Sequence, residues 1–226
     1  MGREIHSFRT IDSTNQYLKK IAEEGALEGT LVIADEQTSG RGRSGRSWVT
    51  PPGSAIAFSL LLRPALPPSR ISMVTLVMGL SVCKAIRFLY DMPAGIKWPN
   101  DVILGGRKVC GILTEASLDV ENNMLDYAVT GIGFNIWEPE GGFPEELQNI
   151  AGAIFPKEKQ EVLKAKDSKD EKDSSGTVID PGLDVRSRLV AGMINHFWEY
   201  YEHLTERTYM PEYKRRSFLL GQMVHT

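Results

Sequence analysis

Residues 40 to 48 read Gly-Arg-Gly-Arg-Ser-Gly-Arg-Ser-Trp, the densest concentration of chemistry in the chain. Glycine lets backbone N–H groups approach a ligand closely and take unusual dihedrals. Arginine offers bidentate hydrogen bonds to carboxylate or phosphate. Arg41, Arg43 and Arg46, spaced by glycine and serine, therefore suit an anionic ligand carrying one or both of those groups. Gly40 to Ser47 also nearly matches the phosphate loop G-x-x-x-x-G-K-[ST], with Arg46 where lysine belongs. That loop must open a helix whose N-terminus faces the phosphates, whereas Trp-Val-Thr-Pro-Pro-Gly follows here and reads as a strand and a break. An arginine–glycine nucleic-acid segment is a further reading, but such segments are long, and this is a single copy between two predicted strands. A loop that folds over an anion is left, beside a plain solvated basic turn.

Further polar groups recur at intervals. Ser13-Thr14-Asn15-Gln16 opens a predicted helix, and Ser13 with Gln16 is also a capping box. Gln37 precedes the arginine loop. Lys97-Trp98-Pro99-Asn100-Asp101 is followed by Lys108-Val109-Cys110-Gly111-Ile112-Leu113 and by Gly131-Ile132-Gly133-Phe134-Asn135. Trp98 reads best as core. Lys97 is either a surface lysine or a ligand group, and Asp101 either caps a turn or assists chemistry. There is no G-x-S-x-G and no H-E-x-x-H, and His6, His196, His203 and His225 lack ligand spacing.

The elements that must position these groups follow from periodicity. Residues 13–24 predict a helix with Leu18, Ile21 and Ala22 on one face and Gly25 as its stop. Residues 30–37 and 54–62 predict strands. A long helix over about 69–90 follows Pro67-Pro68, with Ser69 as its cap. Strands at 95–99, 101–104, 108–119 and 125–136 come next, with hairpin turns at Gly105-Gly106 and Glu121-Asn122-Asn123. A helix over about 183–204 carries Val185, Leu189, Met193, Phe197 and Tyr201 on one stripe. Strands and helices do not alternate strictly, so the fold class is α+β with a mixed, mainly antiparallel sheet and flanking helices.

With 226 residues the chain fits one sizeable domain, or one domain plus a fragment. A formal net charge of -3 argues against a surface that traps nucleic acid as a whole, so anion binding must be local. Cys83 and Cys110 form neither a disulfide framework nor a metal spacing and read as buried thiols in a reducing compartment. The first residues lack the apolar core of a secretory signal. The apolar run from Ile71 to Cys83 falls short of the ~20 residues of a membrane span and predicts a core helix. The expected location is the cytoplasm. Residues 157–173 hold six basic and six acidic side chains with few apolar anchors, which predicts a charged, solvated loop over about 157–176.

Taken together and in order, STNQ, Gln37, GRGRSGRSW, KWPND, Lys108 to Leu113 and GIGFN resemble a biotin–protein ligase, of the kind that biotinylates acetyl-CoA carboxylase. The resemblance is close over about residues 5–137 and loose beyond. It implies the catalytic fold shared with lipoate ligases, akin to class II aminoacyl-tRNA synthetases, and the alternative function on that fold is a lipoate- or octanoyl-protein ligase. It implies ATP and biotin as substrates, with Mg²⁺ carried on ATP and no site of its own identified. The acceptor would be a biotin carboxyl carrier protein or domain; DNA and membrane would not be partners, and a homodimer is compatible with it. By the same resemblance, Ser13, Thr14, Asn15 and Gln37 would meet the ureido ring. Arg41, Gly42 and Arg43 would hold the carboxylate and then the adenylate phosphate. Gly111, Ile112 and Gly133 would form an apolar wall. Arg43, Arg46, Trp48, Lys97, Asn100 and Asn135 would serve ATP, and Lys108 would touch both carboxylate and α-phosphate. Lys108 and Arg41 would carry the chemistry; beside the resemblance, Asp101 is the candidate to orient the acceptor lysine or take its proton.

Two departures are visible. Many members carry an N-terminal helix-turn-helix, and here the ligase pattern begins within the first dozen residues. The family also adds a small SH3-like domain, so residues 1–216 are expected to be the ligase domain and 217–226 the beginning of an incomplete second one. The chemistry fits basic groups. Bringing a carboxylate against a triphosphate costs ~4 kcal/mol per unit-charge pair at about 4 Å and an effective dielectric of about 20. Arg41, Arg43 and Lys108 can offset this. An acceptor lysine, ordinarily of pKa ~10.4, must also be favoured in its neutral form.

Overall fold

The computed structural model describes residues 4–49, 53–156, 158–159 and 185–221. Among these residues seven strands form one sheet in the order β1-β2-β3-β7-β6-β5-β4. They are β1 (Ile5–Ile11), β2 (Leu31–Gln37), β3 (Ala55–Leu62), β4 (Gly95–Lys97), β5 (Asp101–Leu104), β6 (Arg107–Asp119) and β7 (Met124–Asn135). Only β1 and β2 pair in parallel, with α1 (Thr14–Glu23) as the crossover between them; the other neighbours are antiparallel. The sheet is thus mixed and mainly antiparallel, as the sequence predicts. The edge strand β1 escaped prediction because its polar and apolar residues alternate weakly, and none of its residues is buried.

Local chemistry explains the boundaries. Ser13 accepts from the Gln16 N–H at the start of α1. At its end Ala26 N donates to Ile21 O and Gly25 N to Ala22 O, with Gly25 at φ 97°. This is the Schellman pattern that a left-handed glycine permits. Gly105 and Gly106, at φ 58° and 80°, make the two-residue turn joining β5 to β6. Asn123 takes φ 51° in the β6–β7 turn, where Asp119 accepts from Asn122.

Alternation along β3, β7 and β6 divides the sheet into two faces. Ile56, Phe58 and Leu60 of β3, with Ile132 and Phe134 of β7, enter the main core beneath α2 (Ser72–Tyr90) and α3 (Val185–Tyr201). Leu61, Val32, Val129 and Tyr127 meet Leu18 and Ala22 of α1 on the opposite face. Helix α2 is long and apolar enough to cross a membrane by length and composition. Here its Val74, Val77, Met78, Val82 and Ile86 are enclosed by the sheet and α3. The short helix α4 (Met210–Arg216) is joined to α3 by a Tyr200–Glu212 hydrogen bond of 2.7 Å.

Three expectations need correction. Ser69 does not cap α2: it sits inside a 3₁₀ turn over Pro68–Arg70, and the cap position is Ile71, without a side-chain bond. Trp98 is not core but 64% exposed, because β4 ends at Lys97 on the sheet's edge and the chain turns outward there. Helix α3 ends at Tyr201, short of 204, and a separate 3₁₀ turn follows over Leu204–Glu206. The start of that helix before Val185 and nearly all of the charged 157–176 segment lie outside the described residues, as do residues 222–226. Ser217 bridges to Ile96, so the described part of 217–221 begins by running along β4.

Candidate functional site

The α1 face of the sheet carries a floor of small residues. Register places Ala57, Gly133 and Gly111 side by side across β3, β7 and β6, and Ser59, Gly131 and Leu113 in the next row. A methyl group on Gly133 would overlap the Trp48 indole, and one on Gly131 would overlap the Asn15 amide. A methyl on Gly111 would come within 3.1 Å of both the Lys108 ammonium and the Trp48 ring. The glycines are needed for close approach rather than for unusual dihedrals.

The N-terminus of α1 closes one end of this floor. Thr14 donates to Gln37 Oε1 through its N–H at 2.8 Å and through its hydroxyl at 3.0 Å. The buried Ser59 hydroxyl lies 2.6 Å from Asn15 Oδ1 and 2.8 Å from Thr14 Oγ1. Asn15 Nδ2 donates to Glu115 at 2.9 Å and to Leu113 O at 3.3 Å, so its amide is engaged by protein groups on both sides. Ser59 and Glu115 were not singled out from the sequence. Their signal is a polar side chain on the inward face of a strand otherwise rich in apolar or small residues.

The arginine loop is a tight hairpin. Trp48 N donates to Gly40 O at 2.9 Å and Gly42 N to Arg46 O at 2.7 Å, while Arg43–Gly45 forms the tip. Ser44 and Gly45 take φ of 55° and 75° there. From its second arm Trp48 lies on Gly133 and Gly111, its Nε1 buried and without a hydrogen-bond partner. Arg43 donates to Asn100 Oδ1 at 3.2 Å, and Asn100 Nδ2 donates to Ile112 O at 3.0 Å. Lys108 Nζ makes an ion pair of 2.7 Å with Asp101 Oδ1 and stands 5.6 Å from the centre of the Trp48 ring.

Two adjoining cavities result. The smaller, about 470 Å³ counting its mouth, is lined by Ser13, Thr14, Asn15, Gln37, Arg41, Gly42, Gly111, Ile112 and Gly133 among others. The larger, about 1280 Å³ on the same measure, is lined by Arg46, Asp101 and Asn135 and by an apolar wall of Val49, Phe143, Leu147 and Ile150. Gly42, Arg43, Trp48, Asn100 and Lys108 line both. Lys97 lines neither and is exposed at the end of β4. Asn135 is buried and donates to Gly152 O at 3.0 Å. The wall at 143–151 has no periodicity and is held by bonds such as Lys108 N to Ile150 O, at 2.7 Å, so it could not be read from sequence.

The geometry can hold an uncharged, hydrogen-bonding group at the α1 end, an apolar body on the glycine floor, and an anion at the junction between the cavities. Basic groups dominate that junction. Asp101 is the one carboxylate among the described residues lining either cavity. Among the described residues no three His, Cys, Asp or Glu side chains converge as a metal cluster.

Such a site on this sheet defines a class. Residues 7–135 match the biotin/lipoate A/B protein ligase family, and the chain belongs to that family. It is similar to the bifunctional ligase/repressor BirA of Bacillus spizizenii, 38% identical over 154 residues that cover 68% of this chain and 47% of that one. It is 33% identical over 158 residues to the biotin–[acetyl-CoA-carboxylase] ligase of Mycobacterium tuberculosis, covering 68% of this chain and 55% of that one. Its fold is similar to that of the biotin protein ligase from Aquifex aeolicus in complex with biotin and ATP, with a TM-score of 0.71 and 27% identity. That match covers 98% of this chain and 81% of the other. The chain spans about half the length of the curated relatives it matches.

Proposed function

We propose that this chain activates biotin with ATP as biotinyl-5'-AMP and passes the biotinyl group to a lysine of a biotin carboxyl carrier domain of acetyl-CoA carboxylase. The observation that carries the reading is the shared wall: Arg43 and Lys108 line both cavities, so a carboxylate in one and an α-phosphate in the other would meet between them. The names of the similar ligases support biotin as the acid.

In this reading the carboxylate oxygen attacks the α-phosphorus and pyrophosphate leaves, giving a mixed anhydride. Lys108 and Arg43 offset the negative charge that gathers there. Thr14, Gln37 and Ser13 bind the ureido end, and the glycine floor accepts the apolar chain. Mg²⁺ would be held mainly by the triphosphate, with Asp101 the nearest carboxylate lining that cavity; when bound it supplies further charge neutralisation. Trp48 and the hairpin exclude water from the anhydride. Asp101 orients the incoming lysine or receives its proton, after which the amine attacks the carbonyl and AMP leaves. A cytoplasmic location is part of the proposal and accords with two free, buried cysteines.

The test is the mass of a carrier domain after incubation with ATP and either biotin or lipoate. A biotinyl increment is expected. An increment with lipoate alone would overturn the choice of acid.

A further inference from the structure

Glu115 lies on β6, one row beyond the glycine floor, with a side chain 19% exposed. Its Oε1 stands 3.2 Å from Arg41 Nη1 and 3.4 Å from Lys19 Nζ, and its Oε2 accepts Asn15 Nδ2 at 2.9 Å. One carboxylate thus gathers two residues of α1 and one arm of the arginine hairpin, within the several acceptor sites it has. Arg41 also bridges to Ser47 through its backbone, so the side-chain anchor sits at the hairpin's base rather than its tip. Position separates Arg41 from the other cations. Arg43 and Lys108 line both cavities, whereas Arg41 lines only the smaller. A carboxylate that must reach an α-phosphate has to lie at the junction, and a guanidinium already paired with Glu115 has much of its charge offset.

We propose that Glu115 is a positioning residue that clamps the base of the arginine hairpin onto α1 through Arg41, and that the ligand carboxylate is read by Arg43 and Lys108 rather than by Arg41. The clamp stands on geometry alone; the carboxylate assignment rests on the ligase reading above.

The clamp is tested on the ligand-free protein by the rate of trypsin cleavage after Arg46. Glu115→Gln and Arg41→Gln should each raise that rate about two- to fivefold, the scale of losing one part-exposed ion pair. The double variant should add little to either, and Arg41→Lys should restore protection. Additive effects, or no effect of Glu115→Gln, would overturn the clamp. Unchanged thermal melting of Arg41→Gln checks that the fold is intact. The carboxylate assignment is tested by the ratio of affinities for biotin and its neutral carboxamide. Arg41→Gln should weaken both ligands alike and keep the ratio, while Arg43→Gln should collapse it. Collapse of the ratio in Arg41→Gln would overturn the assignment. If the unaltered chain bound neither ligand, the ligase reading and the carboxylate assignment would fall, while the proteolysis result would still decide the clamp.

Discussion

Lys108 Nζ and Asp101 Oδ1 are 2.7 Å apart on the wall between the two cavities, each side chain about three-quarters covered. The pair holds the ammonium at the junction before any ligand arrives. Lys108→Ala should therefore slow adenylate formation by about 10²–10³, as loss of a donor to developing charge does elsewhere. The fold should survive, because residue 108 keeps its backbone bonds to Ile150 and Gly152. Pyrophosphate release near the unaltered rate would remove Lys108 from the chemistry.

Gly133→Ala places a methyl group into the Trp48 indole. Either the ring or the strand must shift, at a cost of about 1–3 kcal/mol. Both ligands should bind more weakly, since Trp48 lines both cavities. Calorimetric titration with biotin and with ATP checks this. Unchanged affinity for both would show that the indole moves aside without consequence.

The tip of the hairpin, Arg43 to Gly45, is exposed and holds two residues at positive φ. Arg43 and Arg46 gain anionic partners only when ligand is present. Trypsin should cut at Arg43 or Arg46 in the free protein, with Arg41 slower because of its ion pair, and all three should be protected by biotin with ATP. Equal digestion with and without ligands would count against closure over the anhydride.

Burial holds the Cys83 thiol up, from an ordinary 9.0 to about 12, and pushes Cys110 well above the ordinary value. Between pH 9 and 12 the unfolded chain releases these protons while the folded protein keeps them, so their contribution to stability, complete below about 9, is lost as pH rises. Melting temperature should fall through that range, and the fall should be shallower in Cys83→Ala. Identical slopes would mean that other groups govern alkaline unfolding.

Much of this site was legible in the sequence because its pieces are local. The Ser13 cap, the Gly105-Gly106 turn and the loop character of the arginine segment each depend on neighbours a few residues away. What could not be read is what the sheet brings together over long separations. Ser59 reaches Asn15 across 44 positions, and Arg41 meets Glu115 across two elements. Trp98 misled because a tryptophan between a lysine and a proline carries no sign of strand edge, and only the strand order puts β4 outermost. The wall of Phe143, Leu147 and Ile150 follows β7 without periodicity. A 3₁₀ turn at 145–147 and bonds to the backbone of Lys108 hold it in place.

The most direct measurement is exchange of labelled pyrophosphate into ATP, with and without biotin. It reads the joining of a carboxylate to an α-phosphate before any acceptor is involved. The shared wall of Arg43 and Lys108 predicts exchange that needs biotin, is not supported by biotin's carboxamide, and drops by about 10²–10³ in Lys108→Ala. Exchange independent of biotin, or none with biotin, ATP and Mg²⁺ all present, would contradict the account.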